Sequence, residues 1–342
     1  MNELQNRTVV ITGASAGVGR SVAHRFARAG ARLGLIARDA NALNEVKNEI
    51  ERLGGTAIVT AADVADADAV FEAADAIQRR FGSIDVWIND AMVTVFSPVW
   101  KIAPQEFCRV TEVTYLGVVH GTMAALRHMR PRNRGTIIQV GSALAYRGIP
   151  LQAAYCGAKH AIRGLTDSLR SELIHDGSDI KLTIVELPAV NTPQFDWART
   201  HMPRRPRPVP PVVQPEAIAR AIFRAALHPE REYWVGWSTL KVILGNMLLP
   251  GMLDRYLAGA AFKGQETRLP ILPGRRDNLM TPVHDLHRTR GSFGSEARNS
   301  ALVTIGPIAR LAPVVAGALA FFAVGILAHR LWRKQGTGLQ TR

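Results

Sequence analysis

Three residues in this chain could do chemistry together. Tyr155 and Lys159 are four positions apart, and Ser142 stands thirteen before the tyrosine. A spacing of four puts two side chains on one helix face, one turn apart. A free phenol ionises near pH 10, too high for a good base near neutrality, and a cation nearby lowers that value. The expectation is that the Lys159 ammonium brings the Tyr155 phenol into range. Tyr155 would then be the general acid in reducing a carbonyl and the base in oxidising an alcohol. Ser142 would donate to the substrate oxygen as charge develops there. The plainer alternative is a packed tyrosine beside a lysine that snorkels to solvent.

Such chemistry needs a hydride carrier, and Thr12–Gly19 (TGASAGVG) has the form of its binding turn. Thr8–Ile11 is a β-branched run that reads as a buried parallel strand. Helical periodicity follows in Val22, Ala23, Phe26 and Ala27. Strand, glycine turn and helix together let the backbone approach a pyrophosphate, with amide donors free at the helix start. Gly13, Ser15, Ala16, Gly17, Val18 and Gly19 are the candidate contacts. A second strand, 32–37, ends in Ala37-Arg38. An NAD site usually has a carboxylate at that end for the ribose 2′-hydroxyl. Arg38 suits a 2′-phosphate instead, so NADP is expected over NAD.

Strands and helices alternate from residue 8 to 186, which predicts an α/β fold with a doubly wound parallel sheet, a Rossmann fold. Helices are predicted over 42–53, 67–81, 104–129 and 155–176, and strands over 57–61, 86–89, 136–141 and 181–186. Ser142 then lies at the carboxyl edge of the sheet, where open α/β sheets bind ligands. A catalytic domain is expected over 1–237.

With these pieces in place, the chain resembles the short-chain dehydrogenase/reductase family over about residues 5–237. The matching pieces are Thr12–Gly19, Asp63-Val64, Asn89-Asp90-Ala91, Ser142, Tyr155-x-x-x-Lys159 and Val190-x-Thr192. The resemblance implies a tyrosine-based oxidoreductase of CH–OH groups using NAD(P). It implies Asp63 and Val64 near the adenine, Asn89 and Ala91 along the cofactor, and Val190 and Thr192 near the nicotinamide. It also implies that Tyr155 and Lys159 touch cofactor as well as substrate. Thr114 stands where the family often has an asparagine whose main-chain carbonyl holds a water of the proton relay, and it joins the catalytic set on that ground. Met92 replaces a glycine of the family pattern, and Leu187-Pro188 replaces Pro-Gly.

Charge is uneven. Residues 1–200 hold 22 Lys and Arg against 20 Asp and Glu, and 201–342 hold 20 against 8. The basic half lacks interleaved aromatics or a nucleic-acid motif, so nucleic acid is not expected as a partner. An anionic membrane surface is. Leu311–Ala328 is eighteen residues without a charge, followed by Arg330, Trp332, Arg333 and Lys334. Such a run spans roughly 27 Å as a helix, enough for a hydrocarbon core. A membrane-inserted helix is expected over 308–332, with a basic tail at 333–342. Upstream, 238–263 reads as an amphipathic helical extension that walls the substrate pocket or lies on the bilayer. Residues 264–307, rich in Gly, Pro, Arg and Ser, read as a linker.

Two cysteines and no signal peptide before the first strand fit reduced thiols and a cytoplasmic catalytic domain held at a membrane. His120, His128 and His160 lack partners at ligand spacing, so no metal is expected. The leading reading is an NADP(H)-dependent oxidoreductase of an apolar, lipid-like substrate, as a homodimer or homotetramer. A second is a catalytically weak nucleotide-binding scaffold or sensor at the membrane. A third, epimerisation or dehydration of a sugar, fits the glycine spacing less well.

Overall fold

The computed structural model describes residues 4–311. Eight strands form the central sheet: β1 (Thr8–Thr12), β2 (Arg32–Ala37), β3 (Thr56–Ala61), β4 (Val86–Asn89), β5 (Thr136–Val140), β6 (Lys181–Glu186), β7 (Glu232–Val235) and β8 (Val303–Ile305). Their order is β8-β7-β6-β5-β4-β1-β2-β3. β1 to β7 run parallel, and β8 adds to β7 in the antiparallel sense. The order reverses between β1 and β4, which opens a crevice at their carboxyl ends.

Helices cover both faces: α1 (Gly17–Ala27), α2 (Ala40–Arg52), α3 (Ala67–Phe81), α4 (Pro104–Thr111), α5 (Gly117–Met129), α6 (Ala153–His175), a short α7 (Gln194–Trp197), α8 (Pro215–Leu227), α9 (Trp237–Leu248) and α10 (Pro250–Gly264). Local signals explain their ends. Asp66 caps α3 by accepting from Ala69 N–H at 3.1 Å, and Gly82 closes it in the left-handed region that glycine tolerates. Asp39 caps α2 through Ala42 N–H at 3.0 Å. One core joins α1, α2 and α8 to the sheet through residues such as Val22, Phe26, Leu43 and Ile222. The other lies under α3, α5 and α6, with Val70, Ile77, Trp87 and Met129.

The stretch expected as one helix over 104–129 is interrupted. Glu112–Leu116 forms a π turn between α4 and α5, and Thr114 lies within it. Such turns are rare inside helices and concentrate at functional sites. Beside it, Asn89 sits in a fully buried polar network. Its amide donates to Gln139 at 2.9 Å and Thr122 at 3.2 Å, and its carbonyl accepts from the Trp87 indole at 2.8 Å. Buried polar groups persist when every member is satisfied.

The expected linker is corrected by the structure. Residues 265–305 are packed along the catalytic domain as a strap. Glu266–Pro270 pairs with Arg204–Pro206, Ala297–Arg298 with Val212–Val213, and the strap ends as β8. Composition suggested mobility, but main-chain pairing and arginine-to-carbonyl bonds hold the segment without a hydrophobic stripe. Among the described residues no helix is long and apolar enough to cross a membrane. The expected membrane segment lies outside the described residues from 312 onward, as does the basic tail.

Gly121 makes room for the Asn89 network, since a Cβ there would collide with the Asn89 carbonyl oxygen and crowd the Trp87 indole. Gly121→Ala is expected to destabilise the fold by about 1–3 kcal/mol. Urea unfolding should show a lower midpoint with an unchanged slope.

Candidate active site

The crevice is a cavity of about 510 Å³ that runs from the glycine turn to the α9–α10 hairpin. Its floor is backbone. A Cβ on Gly13 would lie 2.8 Å from Ala91 Cα, and one on Gly19 would strike the Gly13 carbonyl. Only glycine allows this approach. At the start of α1, Ala16 offers no side-chain cap; the Gly17 N–H is held by the Arg288 carbonyl at 3.0 Å, and the Gly19 N–H by Asp90.

Ser142, at the end of β5, and Tyr155 and Lys159, on the first turns of α6, meet on one wall of the cavity. Lys159 is buried and donates from Nζ to the Val140 carbonyl at 2.7 Å, with Nζ 5.6 Å from the Tyr155 ring centre. The expectation that lysine lowers the tyrosine's pKa needs correction. Burial raises the Tyr155 phenol above its ordinary value, and a hydrogen bond from Ser142 opposes that only in part. The lysine's charge faces other groups. Burial lowers the Lys159 pKa against the attraction of Asp90 and Glu186. Burial raises that of Asp90, against Lys159 and the Gly19 N–H. In this form the phenol keeps its proton, as a group that donates one to a carbonyl oxygen should.

Gly13, Ser15, Ala16, Gly17, Val18, Arg38, Asp63, Val64, Ala91, Val190 and Thr192 line the same cavity. Three expected residues do not. Gly19 shapes the turn behind the cavity wall, and Asn89 is committed to its buried network. Thr114 is fully buried, its hydroxyl donating to the Val93 carbonyl at 2.9 Å and accepting the Val93 N–H at 3.1 Å. It pins the loop after β4 through its side chain. Arg38 lines the cavity, but its guanidinium donates to the carbonyls of Asn278, Leu279 and Met280 at 3.3 Å or less. Asp63 is paired with Arg109. The three histidines are used locally: His120 bonds the Val64 carbonyl, His160 the Cys156 carbonyl, and His128 lies 3.0 Å from Asp75.

The far end of the cavity is apolar, with Met92, Phe96, Ile149, Val209, Val242, Tyr256 and Leu257. Other groups escaped the sequence reading. The strap contributes Asn278, Pro282, Val283 and His287 to the wall beside Arg38. Glu186 is fully buried behind Ser142, where the missing side chain of Gly141 leaves room, and neither carboxyl oxygen has a hydrogen-bond partner among the described residues. Burial, reinforced by Glu232, pushes its pKa up to about 8. Its place before Leu187-Pro188 was the only signal that could have drawn notice to it.

Known proteins give this geometry a context. The family described as short chain dehydrogenase matches residues 7–202. The Bacillus subtilis oxidoreductase YxnA is 31% identical over 94% of this chain and 92% of its own length. The dehydrogenase/reductase SDR family member 7B of Bos taurus is 34% identical over 55% of this chain and 59% of its own. Among solved structures, an alcohol dehydrogenase from Thermococcus sibiricus complexed with 5-hydroxy-NADP aligns with a TM-score of 0.58 and 27% identity, over 67% of this chain and 95% of that one. An NAD+-bound xylitol dehydrogenase aligns at 0.53 and 27%, over 55% and 72%.

Glu186 yields a pH-dependent test. A carboxyl whose pKa is higher folded than unfolded binds more protons in the folded state, so stability falls as pH rises between the two values. Relative to Glu186→Gln, the wild-type protein should lose stability from about pH 5 to pH 8 and then level off. Chemical unfolding at a series of pH values reads this, and a pH-independent difference would contradict it.

Proposed function

The chain belongs to the short-chain dehydrogenase family and is an NAD(P)-dependent oxidoreductase of CH–OH groups, and from that premise we propose that it interconverts an apolar ketone or aldehyde and its alcohol with NADP(H). The observation that carries this reading is the single cavity with the glycine turn at one end, Ser142 and Tyr155 on its wall, and apolar side chains at the other. The nicotinamide ring supplies or accepts the hydride when bound. Tyr155 gives its proton to the carbonyl oxygen, Ser142 donates a hydrogen bond to the same oxygen, and Lys159 holds the nicotinamide ribose.

The preference for NADP(H) rests on the end of β2. Ala37 offers no carboxylate for a ribose hydroxyl. The Asp39 carboxylate is buried and engaged by Ala42 N–H and by His284 Nδ1 at 2.5 Å. Arg38 and Asp39 both line the cavity there, and Arg38 is the one whose charge suits a phosphate.

The apolar substrate and the membrane belong to one picture. The turn between α9 and α10 exposes Met247, Leu248, Leu249 and Met252 together, and Tyr256, one turn on, is exposed while also lining the cavity. Uncharged side chains gathered at the tip of a helical hairpin favour a bilayer over water. In sequence, the apolar run from Leu311 follows a helical turn at 306–311. The segment 308–332 inserts into the membrane, the hairpin rests on its surface, and the protein acts there as a homodimer or homotetramer with the catalytic domain on the cytoplasmic side.

Two measurements test this reading. Tyr155→Phe should bind NADPH nearly as the wild type does and lose turnover on lipid-like carbonyls by about 10² or more. Near-normal kcat in that variant would end the mechanism. NADPH binding without turnover of any carbonyl by the wild type would favour a scaffold or sensor. For the membrane, full-length protein should stay with the membrane fraction through a high-salt wash, because insertion is not screened by ions. A form ending at Leu311 keeps β8 and should be released while retaining cofactor binding. Release of full-length protein by salt would reduce the segment to peripheral contact.

A further inference from the structure

The strap reaches the cofactor end of the cavity at two places, and between them it brings an unpartnered side chain inside. At the first, the carbonyls of Asn278, Leu279 and Met280 surround the Arg38 guanidinium. At the second, the Arg288 carbonyl accepts the Gly17 N–H of the glycine turn at 3.0 Å, and the His287 carbonyl accepts from Arg20 at 2.8 Å. The main chain is thus held on both sides of the His287 ring. That ring packs on Trp197, with centres 5.2 Å apart, and its side chain is only 8% exposed. It lines the cavity together with Ala16, Arg38 and Asp39. Neither ring nitrogen has a hydrogen-bond partner among the described residues. Nε2 lies 3.3 Å from the Asp39 carboxylate without hydrogen-bonding alignment, because that carboxylate is turned to Ala42 N–H and His284.

We propose that the strap is the outer wall of the adenosine pocket and that His287, with Arg38, reads the 2′-phosphate of NADP(H) as a specificity-determining residue. This rests on the NADP(H) reading above. The glycine turn carries no cation of its own, since Ala14, Ser15 and Ala16 are all neutral. Arg38 is already shared with three carbonyls, and a phosphate dianion needs more than one remaining donor. His287 lines the same cavity as Arg38, and its ring nitrogens have no hydrogen-bond partner among the described residues.

The charged groups around His287 set how it titrates. Burial lowers its pKa, Asp39 at the start of α2 and Glu45 on α2 raise it, and Arg20 on α1 and His284 on the strap lower it, for a net value below the ordinary imidazole. The free protein therefore holds it neutral at physiological pH. A phosphate in contact favours the imidazolium, so binding takes up a proton there and tightens as pH falls. The 2′-phosphate itself protonates near pH 6. That change belongs to the ligand and is common to every variant, so the comparison between proteins isolates His287.

The test is equilibrium binding of NADPH and NADH to the full chain between pH 5.5 and 8.5, for the wild type, His287→Gln and His287→Asn. NADPH binding should weaken by about tenfold at pH 6 in both variants, and the ratio to wild type should shrink as pH rises. NADH affinity should stay within about twofold, which also reports that the variants are folded. Equal weakening of both nucleotides, or a ratio that does not change with pH, would overturn the proposal. If one variant does not bind NADH, the other decides. Should the wild type itself bind NADPH no better than NADH, the NADP(H) reading fails in that arm, and the role of His287 fails with it.

Discussion

The structure depends on the absence of side chains where β1 turns into α1. Gly13 touches the backbone at Ala91, and Gly19 fits against the carbonyl of Gly13. One methyl group at Gly13 would press on the chain just after β4, and one at Gly19 would strike the Gly13 carbonyl and crowd Asp90. Everything useful is arranged around that contact. Asp90, just after β4, reaches the Gly19 N–H, the Gly17 N–H is held by the Arg288 carbonyl, and Lys159 and Asp90 attract one another within the same cavity. The low polarity that such packing creates also keeps the Tyr155 phenol protonated.

That constraint left a strong trace in the sequence, so the sheet, the glycine turn and the Ser142, Tyr155 and Lys159 cluster were all legible. Each depends on local pattern: β-branched runs for parallel strands, glycines where backbone meets backbone, and one helical turn between the tyrosine and the lysine. Orientation was less legible. Asn89 stands at its expected position, yet its side chain faces inward, into a polar network with Trp87 and Gln139. Spacing locates a residue along a strand or helix but does not say which neighbour claims its hydrogen bonds. The direction of the tyrosine's pKa was misread for a related reason. The lysine's proximity was visible, whereas the depth of burial and the competing acids Asp90 and Glu186 come from distant segments.

The strap was the least legible part. Residues 264–307 have the composition of a flexible connection, and no periodicity marks them as structured. Their attachment runs through main-chain carbonyls that receive Arg20, Arg38 and Arg109, and through short ladders at 204–206 and 212–213. A carbonyl has no sequence identity, so its use as an acceptor cannot be read from residue types. Side-chain pairs such as Arg288 with Asp196 and Arg290 with Glu216 join residues more than seventy positions apart, beyond the reach of local pattern.

Because the strap returns to the sheet as β8, the nucleotide crevice is built from the two ends of the described chain. Its floor is made by residues near position 15, and its outer wall by residues near 285. During synthesis the amino-terminal half can form its parallel strands while the wall has yet to leave the ribosome. Joining the two requires closure across some 270 residues, a non-local contact that forms late. A nascent chain therefore passes through a stage in which the crevice lies open to solvent.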